Sequence, residues 1–207
     1  MLTLLVAARL IQTGPSQTGH MAADFFPLVQ GTVRTFVETG GQVTTEEVMP
    51  AITVGGKPAI PVVQRHDNRV SGTTYYRVDE NIVYLLGNNS PSSFLASPMP
   101  LIEFDGHAAK WTYAGAMEGT SGQPFSMSGE CRGVRTEEVL GKRVPVLEVE
   151  LRAVVPHGRT EELDVQVAKY ALGIGLCELK SSVRGGKYRT APIVRKLTNI
   201  EGAKSDG

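Results

Sequence analysis

From residue 32 onward the chain alternates. Val33, Thr35 and Val37 fall on one side of an extended segment and Arg34 and Phe36 on the other, the period of two that a pleated strand imposes. Leu147, Val149 and Leu151 alternate in the same way with Glu148, Glu150 and Arg152. Leu163, Val165 and Val167 alternate with Asp164 and Gln166, and in both sets the aliphatic side is expected to face inward. Turn chemistry separates these runs. Gly40-Gly41 supplies the positive φ of a hairpin, and Gly55-Gly56-Lys57-Pro58 marks a second turn. Residues 73–78 and 82–86, rich in β-branched and aromatic side chains, flank the polar Asp79-Glu80-Asn81 as a third hairpin. Further on, residues 88–93 read as the loop joining two halves, 111–114 as a strand, 115–124 as a glycine-rich loop and 125–138 as one long or bulged strand. Residues 170–178 read as a single strand whose glycines mark a bulge or close backbone approach, and a last hairpin turns at Gly185-Gly186. Only residues 22–30 suggest helix, and there no more than a turn. The predicted fold is mainly β: a large, strongly curved antiparallel sheet, a half-barrel or open barrel, of roughly nine to eleven strands.

The chain also echoes itself. Phe26-Pro27-Leu28 followed by Gly31 and Arg34-Thr35-Phe36 is matched by Met99-Pro100-Leu101 followed by Gly106 and Trp111-Thr112-Tyr113. A Thr-Glu-Glu-Val follows each copy, at residues 45–48 and 136–139. The organisation expected is a leader or linker over residues 1–21 and a single β domain over 22–200, with related halves at about 25–90 and 98–200. Residues 201–207 would form a mobile tail.

Composition narrows the function more by exclusion than by assertion. The 207 residues carry 21 basic and 21 acidic side chains, so no net charge and no basic stripe argue for a nucleic-acid partner. Apolar residues at 41% are enough for a buried core without metal or several disulfides. Cys131 and Cys177 allow either one disulfide or two buried thiols. Residues 2–8 are apolar and Val6-Ala7-Ala8 suits a signal peptidase, which points to a periplasmic or secreted protein, although Arg9 interrupts the run. The alternative is a cytoplasmic protein with a mis-started leader. No stretch approaches the ~18 apolar residues of a membrane helix.

The order Phe-Pro-Leu, Gly-Thr-Val-Arg-Thr-Phe, Lys-Trp-Thr-Tyr and Tyr170-Ala171-Leu172-Gly173-Ile174-Gly175-Leu176 resembles a broad group of uncharacterised bacterial secreted proteins and lipoproteins. The resemblance spans most of residues 25–180. It implies a curved sheet of the kind found in lipoprotein carriers of the bacterial envelope, the LolA/LolB type. Arg34 stands where that pattern has tryptophan, and no lipid-attachment cysteine is present. The group has no agreed activity, so the resemblance assigns no catalytic residues.

A search for chemistry returns little. His20, His66, His107 and His157 share no metal-ligand spacing and read as loop histidines. Gly119-Thr120-Ser121-Gly122 is not a nucleophile elbow, and Gly173-Ile174-Gly175 lacks the rest of a dinucleotide fingerprint. Arg65 and Arg69 around His66-Asp67 suit a solvated hairpin tip better than an anion site. Glu46-Glu47 and Glu137-Glu138 are neighbours on strands, pointing to opposite faces, so neither pair forms an acid–base dyad. No enzyme, cofactor or metal is expected. The candidate ligand-binding residues are the aromatics Phe36, Tyr76, Tyr84, Trp111, Tyr113 and Tyr170, lining a concave face that is either packed core or pocket. Trp111 is expected to be buried on that face with its indole N–H bonded. The leading reading is a non-catalytic envelope or secreted protein holding an apolar ligand, an acyl chain or lipidated peptide. The alternative is a structural or adaptor protein of the envelope acting through protein–protein contacts.

Overall fold

The computed structural model describes residues 19–54, 56–89, 94–116, 124–157, 160–184 and 191–202. Most of the expected leader, the loop residues 90–93 and 117–123, the Gly185-Gly186 turn and residues 203–207 lie outside them. The fold is one nearly closed antiparallel barrel with almost no helix. A single helical turn, α1 (Ala22–Phe25), precedes the strands. The first meander is β1 (Val33–Glu38), β2 (Val43–Val48), β3 (Ile52–Val54), β4 (Lys57–His66), β5 (Arg69–Val78), β6 (Ile82–Asn88) and β7 (Phe94–Glu103). The second is β8 (Lys110–Ala116), β9 (Pro124–Val139), β10 (Lys142–His157), β11 (Thr160–Ala171), β12 (Gly175–Arg184) and β13 (Ile193–Glu201). Strand order around the barrel is β7-β6-β5-β4-β2-β1-β13-β12-β11-β10-β9-β8, with β3 as a flap on β4.

Among the described residues there are thirteen strands where nine to eleven are expected, and the excess has physical causes. Pro98 and Pro100 mask β7, because proline cannot donate to a ladder and belongs at a sheet's margin, which is where β7 lies. Residues 170–178 are not one strand. They are the end of β11, a turn with Gly173 at φ +68°, and the start of β12. Other turns follow their chemistry: Gly40 and Gly41 both take positive φ between β1 and β2, and Asp67-Asn68 form the two-residue tip between β4 and β5.

The ring closes in two different ways. At one side β1 pairs with β13, so the first strand is zipped to the last, Val33 to Glu201. At the other side β7 and β8 are consecutive but no ladder joins them among the described residues. Side chains close that seam instead. The Trp111 indole N–H donates to the Pro100 carbonyl at 3.0 Å, and the Tyr113 hydroxyl donates to the Ser97 carbonyl at 2.8 Å. Trp111 can lie flat there because its cross-strand neighbour is Gly129, where a Cβ would collide with the indole ring.

The core fills part of the barrel's interior. Leu147, Val149 and Leu151 point in from β10 as the alternation predicts, meeting Cys131, Met127, Ala168 and Tyr170. The helical turn plugs one end. Its backbone is fastened to three hairpin ends: Ala22 N–H to Phe104 O, Ala23 N–H to Glu80 O, and Gly173 N–H to Asp24 O. Phe25, fully buried, packs edge-on against Phe104, and burying such a side chain contributes about 1.5–3 kcal/mol. A smaller cluster joins Phe36 and Leu197 to Val139, Val146, Ala171 and Cys177. A third sets Tyr75, Leu86 and Ala59 under β3, with Tyr84 packed on them. Outside, Lys110–Glu130, Arg132–Glu148 and Arg152–Glu150 lace β8 to β10, pairs worth at most about 1 kcal/mol each where exposed.

Two substitutions test the seam. Trp111→Phe keeps the ring but strips the donor from Pro100 and should cost about 1 kcal/mol. Gly129→Ala forces the indole off its seat and should cost about 1–3 kcal/mol, as overpacking does. Urea unfolding followed by circular dichroism reads both, and a neutral Gly129→Ala would show that Trp111 does not hold the barrel shut.

Candidate functional site

The interior is not packed throughout. A cavity of about 380 Å³ lies between the two meanders, walled by Leu85, Met99, Leu101, Met127, Leu151 and Ala153. Its polar lining comes from Thr74, Asn88, Asp164 and Gln166. Deeper, a second cavity of about 60 Å³ is lined by Phe26, Arg34, Glu46, Tyr76, Tyr170 and neighbours. Tyr76 and Leu101 line both, so the two share a wall.

The alternation was legible in both β1 and β11, but on β11 its sense is the reverse of the expectation. Asp164 and Gln166 turn inward on β11, in register with Ala153 and Leu151 of β10, while Leu163, Val165 and Val167 take the other face. On β1 it is Arg34 and Phe36 that are buried. The reason is that this lumen contains polar groups, and a period of two states which residues share a face, not which face is inside.

The floor is a charged cluster. Glu46 on β2 accepts from Arg195 Nη1 at 2.8 Å and from Gln64 Nε2 at 3.2 Å. The Arg195 guanidinium stacks on Phe36, 3.9 Å from the ring centre, and its Nε lies 3.9 Å from Glu38. Its Nε and Nη2 are buried without hydrogen-bond partners. Arg34 donates from Nε to Ile174 O at 3.0 Å and from Nη2 to Pro27 O at 2.5 Å. It packs against Gly175, whose missing side chain leaves room for it, which is the close backbone approach that the glycine pair implies. Burial lowers the Arg34 pKa from its usual value, an effect opposed by Glu46 and Tyr76. Burial pushes the phenols of Tyr76 and Tyr170 well above the usual tyrosine range, Glu46 adding to the first and Tyr76 to the second, so both remain O–H groups. At the rim, Asp164 accepts from Gln166 Nε2 at 2.9 Å and Ser181 Oγ at 3.3 Å.

The six aromatic candidates separate. Tyr76 and Tyr170 meet at the deep cavity, both packed on Phe26. Trp111 and Tyr113 form the seam. Phe36 is fully buried beneath Arg195, and Tyr84 sits under the guanidinium of Arg77, 4.2 Å from its ring centre, in the cluster covered by β3. Arg34, Glu46, Arg195, Asp164 and Gln166 are the lumen residues that sequence reasoning passed over. Arg34 alone carried a signal, as a cation standing where the resembling proteins have tryptophan. The carboxylate pairs divide between faces: Glu46 turns to Arg195, Glu47 to Arg65 at 2.5 Å, and Glu137 to Lys169 at 2.7 Å. Cys131 and Cys177 are separate, buried, free thiols.

No protein-family model and no curated protein sequence matches this chain. Solved structures do. A proposed lipoprotein of Parabacteroides distasonis superposes with a TM-score of 0.51 at 12% identity, covering 86% of this chain and 98% of its own. A proposed exported protein of Bacteroides fragilis with a YmcC-like fold gives 0.51 and 12%, covering 86% and 99%. At that identity the likeness defines the fold, a nearly closed barrel of YmcC-like type. Among the described residues no helix is long and apolar enough to cross a membrane.

Removing Glu46 tests the floor. Glu46→Leu leaves Arg195 buried without its carboxylate and should cost about 3–5 kcal/mol, while adding Arg195→Met should recover a large part. Additive losses in denaturant unfolding would show that the two are not coupled. The thiols give a second test. Burial raises Cys131 to about 12 and Cys177 to about 11, so at pH 8 both stay protonated. Ellman's reagent should label neither in the folded protein and both in guanidinium; rapid labelling of the native protein contradicts their burial.

Proposed function

We propose that this protein is a non-catalytic binding protein of the bacterial envelope or secreted space, holding an acyl chain inside its barrel. The observation that carries the reading is the cavity of about 380 Å³, within the size range of small-molecule sites and walled by flexible apolar side chains. Met99 and Met127 suit a ligand of loosely defined shape, since methionine adapts to irregular surfaces. The carboxylates of the lumen are engaged structurally, Glu46 by Arg195 and Gln64, Asp164 by Gln166 and Ser181, which supports binding over turnover. The envelope assignment draws on the fold shared with a proposed lipoprotein and a proposed exported protein.

Native mass spectrometry of the purified full chain, incubated with a mixture of fatty acids and phospholipids, tests this. Acyl-bearing adducts are expected on the wild type. They should disappear in Ala153→Phe, which places a ring in the cavity, provided its β spectrum is kept. A wild-type protein that stays clean, yet co-purifies with one defined protein, would favour the adaptor role instead.

A further inference from the structure

We propose that the acyl ligand is a free long-chain carboxylate that enters head first. Its carboxylate sits against Arg34 on the lumen floor, and its alkyl chain passes Tyr76 and Leu101 into the wider cavity. The inference rests on the lumen being the ligand site and adds the ligand's class and orientation.

Arg34 is 4% exposed, and both of its hydrogen bonds go to neutral carbonyls, Ile174 O and Pro27 O. Glu46, whose charge acts on it, is already held by Arg195 and Gln64. Arg195 is reached by two carboxylates, Glu46 at 2.8 Å and Glu38 at 3.9 Å, whereas Arg34 forms no salt bridge among the described residues. A buried cation is costly unless a counter-charge reaches it, and the planar fork of arginine fits a carboxylate better than any other common anion except phosphate. Arg34 lines the deep cavity beside Tyr76 and Tyr170, both kept as O–H groups and so able to donate to an anion. The cavity of about 60 Å³ is too small for a phospholipid headgroup but admits a carboxylate, and the wider cavity lies next to it, across Tyr76 and Leu101.

Charge at the two ends sets the direction. Asp164 among the polar groups of the wide cavity would repel a carboxylate left there, while below Glu46 is paired with Arg195 and Arg34 attracts one. A lipidated peptide enters methyl end first, because its acyl carbonyl is tied in an amide, and would press that methyl group onto a guanidinium. The floor thus selects the free acid.

Isothermal titration of the full chain at pH 8 with dodecanoate and with dodecanol tests the assignment. The wild type should bind the acid about tenfold or more tighter than the alcohol, the worth of a charge-assisted hydrogen bond. Arg34→Gln should bind the two alike. Equal binding of acid and alcohol by the wild type overturns the Arg34 site while leaving the lumen an acyl site; failure of both to bind overturns the lumen as well. Should Arg34→Gln not fold, carboxyl-¹³C dodecanoate bound to the wild type decides. Its carboxyl resonance should stay that of the ionised form through the pH range where the free acid titrates, and a solvent-like titration overturns the proposal.

Discussion

The lumen exists because a tryptophan does the work of a ladder. Among the described residues the backbones of β7 and β8 form no ladder, and proline at 98 and 100 explains why they cannot pair continuously. Edge carbonyls left without donors are both an energetic cost and a template for unwanted pairing. Trp111 and Tyr113 answer this with side-chain donors aimed at Pro100 O and Ser97 O. Gly129 and Gly115 follow from that solution, since a side chain at either would meet the ring beside it. A ladder would have fixed β7 and β8 along their whole length. Side-chain bonds from Trp111 and Tyr113 hold the strands at points, and the interior they enclose need not be filled to core density.

What lies inside is divided along the axis. Around α1 and Phe25 the packing is aromatic and dry, and above it come the charges of Arg34, Glu46 and Arg195, then the methionine-lined cavity and the polar rim. Buried ion pairs rarely add stability over apolar packing of the same volume. A barrel with room for apolar residues on every inward position, yet carrying the charges of Arg34, Glu46 and Arg195 in its floor, gives up stability there.

Much of this architecture could be read from the chain, and the failures have causes. Period-two alternation identified β1, β10 and β11 and the absence of long helix, because a pleated backbone leaves no other period. It placed Leu147, Val149 and Leu151 correctly, since their polar alternates are fully charged. It misplaced the interior of β11, where Asp164 and Gln166 face in, because the inside of a ligand-sized barrel obeys no rule that polar means outside. The single tryptophan was expected inside with its N–H bonded, and it is. That its partner would be a proline carbonyl across a seam depended on which strands end the sheet, a matter of topology beyond the reach of local pattern. Tyr84 looked like its neighbour Tyr76, and one residue of bulge and the flap β3 send it to a different cluster.

The zipping of β1 to β13 bears on how the molecule comes into being. Every other ladder joins strands close in sequence and can form as the chain emerges, but this one spans nearly the whole length and waits for the last residues. Contacts of such separation are slow because the entropy of a long loop must be overcome before any bond rewards it. The helical turn waits too, since its three anchors, Glu80, Phe104 and Gly173, belong to hairpins made at different times. Until synthesis has delivered β13, the chain is a pair of open, curved meanders with an unplugged floor. Such an intermediate presents open edges on β1 and β12 that the finished barrel hides under β13.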